Sequence, residues 1–355
     1  MTGTPAEGDG GLRRRRASGG RATIKDVALH AGVSTAAVSK VLRHAHGVSE
    51  SMRLRVEESM AALAYRPLTS ARGMRGKTFT IGMLVPDFAN PFVSQLIDGI
   101  TRRTEAAGYD LLVGPLGSSR SSEAHTIDML RDRQMDGLLL DSPLGSEEYL
   151  SVVGRLVPTV VVGRHGPAAH YDTVASDDIA GSRLIIEHLV GLGHSRIAYL
   201  CHSESLTTDP RLPQNVRTEG YRKAMRALGL GDALDIIPTA WNHEGGRAGA
   251  RQLLTRAVMP TALHAGADVA AFGALSELWL ANRRVPADLS VVGYDNTETA
   301  SMEPIGLTSV DQFGERIGAF AAELLLERIG GRHHPRHVLI EPELIARRTS
   351  APPTV

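Results

Sequence analysis

Apolar residues recur along this chain with two rhythms, and the change from one to the other falls near residue 79. From Ala22 to His30 the apolar positions Ile24, Val27 and Ala28 mark one face of a helix, with Gly32 beyond its end. Gly32 and Val33 separate it from a second segment, Ser34 to Leu42, in which Val38, Val41 and Leu42 form the buried face. The polar stretch His44-Ala45-His46-Gly47 leads to a third helix from about Ser49. Ser49 can cap it, Glu50 suits its first turn, and Met52, Val56, Met60 and Leu63 supply its apolar face. Two helices joined by a tight glycine turn and closed by a third predict a helix-turn-helix unit over 21–66. The second helix turns Thr35, Ala36, Ser39 and Lys40 outward. Such a face fits the DNA major groove, where base edges are distinguishable, and by pattern alone it equally fits a protein partner.

From Phe79 onward short apolar runs alternate with amphipathic helices. Strands are predicted at Thr80–Val85, Asp110–Val113, Gly137–Leu140, Thr159–Val162, Thr173–Ala175, Arg196–Leu200, Thr261–His264 and Ser290–Gly293. Helices are predicted at Pro91–Ala107, Ser122–Arg133, Ile179–Leu192, Val216–Leu228, Gly246–Arg256, Ala267–Asn282 and Phe313–Ile329. The alternation predicts an α/β domain over 79–348, with parallel sheets covered by helices on both faces. The strands divide more naturally between two lobes than within one small sheet. The first is expected at about 79–163 with a returning segment near 307–330, the second at about 164–295 with a C-terminal segment, and 349–355 as a tail. Binding then belongs at the C-terminal strand ends, in the cleft between lobes.

Composition bounds the function. The net charge is zero, but residues 1–76 carry 13 Lys/Arg and 6 Asp/Glu, against 26 and 33 in the rest. A basic head on an acidic body suits contact with phosphates, although basic surface is also commonly just solvated. Residues 1–20, rich in Gly and Ser and holding Arg13-Arg14-Arg15-Arg16, are read as a disordered basic arm, either a phosphate-attracting segment or a dispensable tail. Residues 67–78 are read as a basic linker with a short helix, Pro67 redirecting the chain. One cysteine, Cys201, excludes an internal disulfide framework. No apolar run reaches the roughly 18 residues of a membrane span, and the N-terminus lacks a signal-peptide core, so the cytoplasm is the expected compartment. No nucleophile elbow, phosphate loop or HExxH motif is present, and no metal or cofactor is expected. His44 and His46 are read as surface residues, and His188 and His194 as structural.

The stretch Ala22-Thr23-Ile24-Lys25-Asp26-Val27-Ala28, then Ala31-Gly32-Val33-Ser34 and Val38-Ser39-Lys40-Val41-Leu42, closely resembles the headpiece of the LacI/GalR family of bacterial repressors. Val48-Ser49 and Ala61 to Pro67 continue the likeness. So do Ile81 to Pro86, Asn90-Pro91-Phe92, Ser176-Asp177-Asp178, Leu192-Gly193-His194-Ser195-Arg196-Ile197, Arg217 with Gly220-Tyr221, and Val291 to Asn296. The resemblance spans about 22–348. It implies a homodimer whose two headpieces read a palindromic DNA operator, with a small-molecule effector, best guessed a sugar, in the cleft. Thr35, Ala36 and Lys40 match base-reading positions, with Lys40 replacing the usual arginine and Ala37 a common threonine. Arg43, where asparagine is usual, is expected to reach phosphate. Arg72 belongs to the basic hinge, and Met74 stands where a leucine wedges the minor groove. In the cleft, Arg217 and Asp295 are implied ligand groups, Trp241 the ring that stacks on a sugar, Phe88, Asn90 and Phe92 first-lobe contacts, and Asp177 a wall or hinge residue. Two departures bear on the ligand: Ala267 replaces an asparagine before Asp268, and Phe313 replaces a proline after Gln312. A regulator answering to a protein partner is the alternative; a solute-binding protein or enzyme is the remote one.

Overall fold

The computed structural model describes residues 22–42, 45, 47–65, 77–202 and 209–354. The readings of residues 1–20, Arg43, Arg72 and Met74 lie outside this set. The described chain forms two compact units, divided after Thr78.

In the smaller unit, helix α1 (Ile24–Ala31) starts at Thr23, whose backbone N–H and hydroxyl both donate to the Asp26 carboxylate at 2.8 and 2.7 Å. It stops at Gly32, φ 64°, a left-handed position that glycine takes without Cβ strain. Helix α2 (Thr35–Leu42) follows at once, Ser34 Oγ accepting from the Ala37 N–H at 3.1 Å. Ser49 caps helix α3 (Glu50–Ala62) by accepting from the Met52 N–H at 3.3 Å. Val27, Ala28 and Ala31 of α1, Val38 and Val41 of α2, Val56 of α3 and Tyr65 pack into one core. Each buried valine there is worth about 1.5–3 kcal/mol, the dominant favourable term in a unit this small. His30 Nδ1 and Ser59 Oγ meet at 3.0 Å and tie α1 to α3.

The larger unit holds two sheets of six strands. The first runs β11 (His337–Ile340), β5 (Asp172–Ser176), β4 (Thr159–Val162), β3 (Gly137–Asp141), β1 (Thr80–Val85), β2 (Asp110–Pro115), all parallel. The second runs β12 (Glu343–Ile345), β10 (Thr308–Asp311), β9 (Ser290–Asp295), β8 (Ala262–Ala265), β6 (Ile197–His202), β7 (Asp235–Thr239), parallel except for β10 with β12. The connecting helices are α4 (Phe92–Ala106), α5 (Arg120–Asp132), α6 (Glu147–Leu156), α7 (Asp178–Gly191), α8 (Pro213–Ala227), α9 (His243–Leu254), α10 (Asp268–Leu280), α11 (Glu298–Ser301) and α12 (Gly314–Ile329). Period-two alternation sends Ile81, Met83 and Val85 into a core with α4 and α12, and Leu84, Leu138 and Leu140 into another with α5 and α6.

Three points of the expected layout are corrected. The strand at Thr173–Ala175 belongs to the first sheet, between β4 and β11, so the lobe boundary falls at Asp177 rather than near 164. The returning segment begins at α12, because β10 pairs with β9 in the second sheet. The tail is not loose: Val291 N–H donates to Thr349 O at 2.8 Å, Thr349 Oγ1 returns a bond to Val291 O at 2.7 Å, and Ala351 bonds Ser290. The chain thus crosses between lobes at Asp177, at Gln312–Phe313, and between Ile340 and Glu343. At the second crossing Phe313 holds φ 58° and its N–H donates to Asp311 Oδ1 at 2.6 Å. A proline, locked near φ −65°, has no N–H and cannot take that conformation. The substitution therefore changes the hinge backbone itself. Among the described residues no helix is long and apolar enough to cross a membrane.

Candidate DNA-reading face and effector cleft

In the headpiece Val38 and Val41 anchor α2 to the core, which fixes the opposite face outward. Thr35, Ala36 and Lys40 are exposed there, and Ser39 is half-buried. A short helix set on a rigid three-helix core is the geometry with which such units enter the major groove.

The cleft occupies about 360 Å³. Its walls come from the ends of β1, β3, β5, β6 and β9 and the turns after them, as expected where strands of two parallel sheets face each other. Arg217, on α8, organises the second-lobe wall. It is 5 % exposed. Its Nε donates to Asp178 Oδ1 at 2.7 Å, Nη1 to Gly266 O at 2.8 Å and Nη2 to Gln312 Oε1 at 2.9 Å. The guanidinium lies over two rings, 3.8 Å from the Tyr294 centroid and 5.0 Å from that of Trp241. Gly266 is required here, since a Cβ would lie 2.4 Å from the Trp241 ring.

Asp295 ends β9 in a left-handed conformation, φ 126°, and Asn296 follows at φ 46°. Non-glycine residues rarely hold such angles, and when they do they cluster at ligand clamps. Asp295 Oδ1 accepts from Gln312 Nε2 at 2.5 Å and lies 3.9 Å from Arg217 Nη1. Its Oδ2 is buried with no hydrogen-bond partner among the described residues, and so is Trp241 Nε1. An acceptor and a donor thus stand unsatisfied on two residues that line one cavity, a costly arrangement for buried polar atoms. Burial drives the Asp295 carboxyl well above the ordinary range, against the pull of Arg217.

Asp178 shows the opposite balance. Burial opposes its charge, but Arg217 and the His165 ring, 2.7 Å from Oδ2, hold its carboxyl below the usual value. Tyr294 OH also donates to its Oδ1 at 2.9 Å. On the first lobe, Asp141 closes β3 and is 6 % exposed, with only Ser142 Oγ donating to it, at 3.0 Å. Burial pushes it to about 6. Asp268, also raised to about 6 by burial, accepts from Thr297 and Ser309 and ties α10 to β10. Ala267 lines the cleft in front of it.

These raised carboxyls fix a pH dependence. Each binds a proton more tightly folded than unfolded, so their contribution favours the domain below about pH 4 and is lost as pH rises through about 6. Asp141→Asn is therefore expected to raise the unfolding midpoint at pH 7 and to leave it nearly unchanged at pH 4, measured by thermal denaturation at both pH values. A midpoint lowered at pH 7 contradicts the assignment.

Of the residues singled out from sequence, the cleft gathers Asn90, Phe92, Arg217, Trp241 and Asp295. Phe88 is 57 % exposed and does not line the cavity; Asn90 Oδ1 instead accepts from the Phe92 N–H at 3.0 Å and starts α4. Asp177 caps α7 by accepting from the Ala180 N–H at 3.0 Å, and its neighbour Asp178 faces the cleft in its place. Sequence reasoning missed Asp141, Asp178, His202 and Gln312 as lining residues. His194, by contrast, is held by Thr261 Oγ1 and Ala351 O, and His188 by Ser350 Oγ, as structural roles require.

A helix-turn-helix unit ahead of a two-lobed, cleft-bearing α/β domain defines a class of DNA-binding transcription regulators. Residues 23–67 match bacterial regulatory proteins of the lacI family, and residues 186–350 match the periplasmic binding protein-like domain. The ribose operon repressor of Escherichia coli strain K12 is 34 % identical over 313 residues, spanning 87 % of this chain and 93 % of that one. The lac repressor dimer bound to operator and the anti-inducer ONPF superposes with a TM-score of 0.79 at 27 % identity, over 94 % of this chain and all of that chain (100 %). A LacI-family regulator from Enterococcus faecium with bound ribose gives a TM-score of 0.67 at 29 % identity, over 77 % and 99 % of the two chains. The chain belongs to the LacI family of bacterial regulatory proteins, and its relatives are transcription regulators rather than enzymes.

Proposed function

We propose that this protein is a homodimeric repressor, acting in the cytoplasm, that reads a palindromic operator and is controlled by a sugar held in the cleft. The observation that carries the reading is the pair of buried atoms, Asp295 Oδ2 and Trp241 Nε1, left without a hydrogen-bond partner among the described residues on two residues that line one cavity. A sugar ring offers a hydroxyl donor to the first, a hydroxyl acceptor to the second and an apolar face to the indole. Phe92 and Asn90 supply first-lobe contact. The ribose seen in the Enterococcus faecium relative supports the class of ligand. Thr35, Ala36, Ser39 and Lys40 supply base-edge and groove contacts, and Arg43, Arg72 and Met74 are proposed to extend them to phosphate and the minor groove.

Control runs through lobe closure. A ligand that favours one lobe arrangement shifts the population of DNA-binding dimers by its differential affinity for the two states. The lobe arrangement seen here is latched outside the cleft. Arg164, after β4, pairs with Asp209 of the second lobe, while Arg211 donates to Glu147 of α6 at 2.8 Å and the His165 N–H donates to Arg211 O at 2.8 Å. Arg211→Ala removes a partly exposed ion pair worth about 0.5–1 kcal/mol. Ligand release should quicken by about two- to fivefold, followed by stopped-flow tryptophan fluorescence; an unchanged release rate contradicts the latch.

Selection of duplexes from a random pool, followed by competition with a panel of sugars, sugar phosphates and nucleobases, tests the function. A palindromic site weakened by a sugar is the expected result. Failure to select any site removes the regulator reading.

A further inference from the structure

The charges in the cleft are one-sided. Asp87, Asp141, Asp178 and Asp295 line it, and Arg217 is the sole lysine or arginine among the described lining residues. Arg217 is already committed: Asp178 takes its Nε, Asp295 lies 3.9 Å from Nη1, and Gln312 and Gly266 O take the remaining direct bonds. Asp141 has no such partner. No cation lies within ion-pair distance of it among the described residues, and its one hydrogen bond comes from Ser142 next to it. A carboxylate buried at the end of a strand and lining a cavity, with only the more distant Arg217 to offset its charge, costs stability while the cavity is empty.

We infer that the cleft is built for sugars that carry no negative charge, whether uncharged or bearing an amine, and that Asp141 is the residue that enforces this by repelling phosphate and carboxylate groups. The inference rests on the reading of the cleft as a sugar site and adds the ligand's charge class to it. A hydroxyl or ammonium donates to Asp141 from the first lobe while Asp295 Oδ2 accepts from the second, so one ligand bridges both lobes through donors only. A phosphate ester in the same place meets the Asp141 carboxylate, which has no lysine or arginine within ion-pair distance among the described residues. In a water-poor site that repulsion is far stronger than in bulk solvent. The α10 N-terminus does not rescue it, because Asp268 occupies the first turn.

The test is calorimetric titration of the full-length protein with matched series: ribose against ribose 5-phosphate, and glucose against glucosamine and glucose 6-phosphate. At least one parent sugar or amino sugar should bind, with its phosphate ester weaker by about thirtyfold or more. In Asp141→Asn that ratio should shrink by about tenfold. A phosphate ester that binds wild-type protein as tightly as its parent overturns the charge inference and leaves the sugar site standing. A ratio unchanged in Asp141→Asn removes Asp141 as its source. No binding by any member of either series overturns the sugar reading itself. The wild-type ratio stands as a test whether or not the variant folds.

Discussion

Replacing Arg217 by methionine is expected to destabilise the larger unit by about 3–5 kcal/mol, the cost of removing one member of a buried ion pair. The guanidinium bonds Asp178, Gly266 O and Gln312 and lies over the Tyr294 and Trp241 rings, so its loss strands three hydrogen-bond partners at once. Methionine keeps much of the volume but none of the donors. Asp178 would then lose the larger of the two influences that hold its carboxyl low, keeping the His165 contact, and burial would push it up. With its folded value above its unfolded one, Asp178 would make the variant more stable as pH falls from 7 toward 4, the reverse of its effect in the native protein. Urea unfolding at several pH values reads both effects. Adding Asp178→Asn should recover part of the loss, because the second change removes the stranded charge. A loss under 1 kcal/mol, or one independent of pH, would contradict the role given to Arg217.

The second large effect lies in the headpiece. Lys40→Ala should weaken operator binding by about 1–3 kcal/mol and flatten base preference at one position of each half-site, since lysine donates to guanine O6 and N7. Lys40 is exposed, so the fold of α2 should be indifferent to the change. Repeating the duplex selection with the variant gives the readout. Uniform weakening across all sequences, with a reduced salt dependence, would assign Lys40 to phosphate instead.

What was legible in the sequence follows from which forces are local. The three headpiece helices came through because caps and i, i+3 spacing are local signals, and Thr23, Ser34 and Ser49 sit at the helix starts. Strands β1 and β4 were legible end to end because buried parallel strands are continuous apolar runs. β7 was not, since Pro238 argues against a strand; it is tolerated because β7 lies at the sheet edge, where one side needs no ladder bond. β5 was placed in the wrong lobe because sequence order favours pairing with the next strand, whereas the crossing at Asp177 is set by packing of α7 on the second sheet. Asp177 and Asp178 differ by one position and exchange roles: a cap faces its own helix, and the next residue faces the cleft. Asp141 carried one available signal, an acid closing the apolar run Gly137–Leu140 at a strand's C-terminal end, where ligands bind in such folds. Gln312 carried none, because its contact with Asp295 and Arg217 exists only after the chain returns through the second crossing.

The most direct test of the account is the affinity of the full-length protein for its selected operator, measured by fluorescence anisotropy with and without a sugar shown by calorimetry to bind. Coupling between the cleft and the headpiece should change that affinity by about 5–150-fold, the range of an ordinary allosteric coupling energy. An operator affinity identical with the cleft empty and saturated would contradict ligand control.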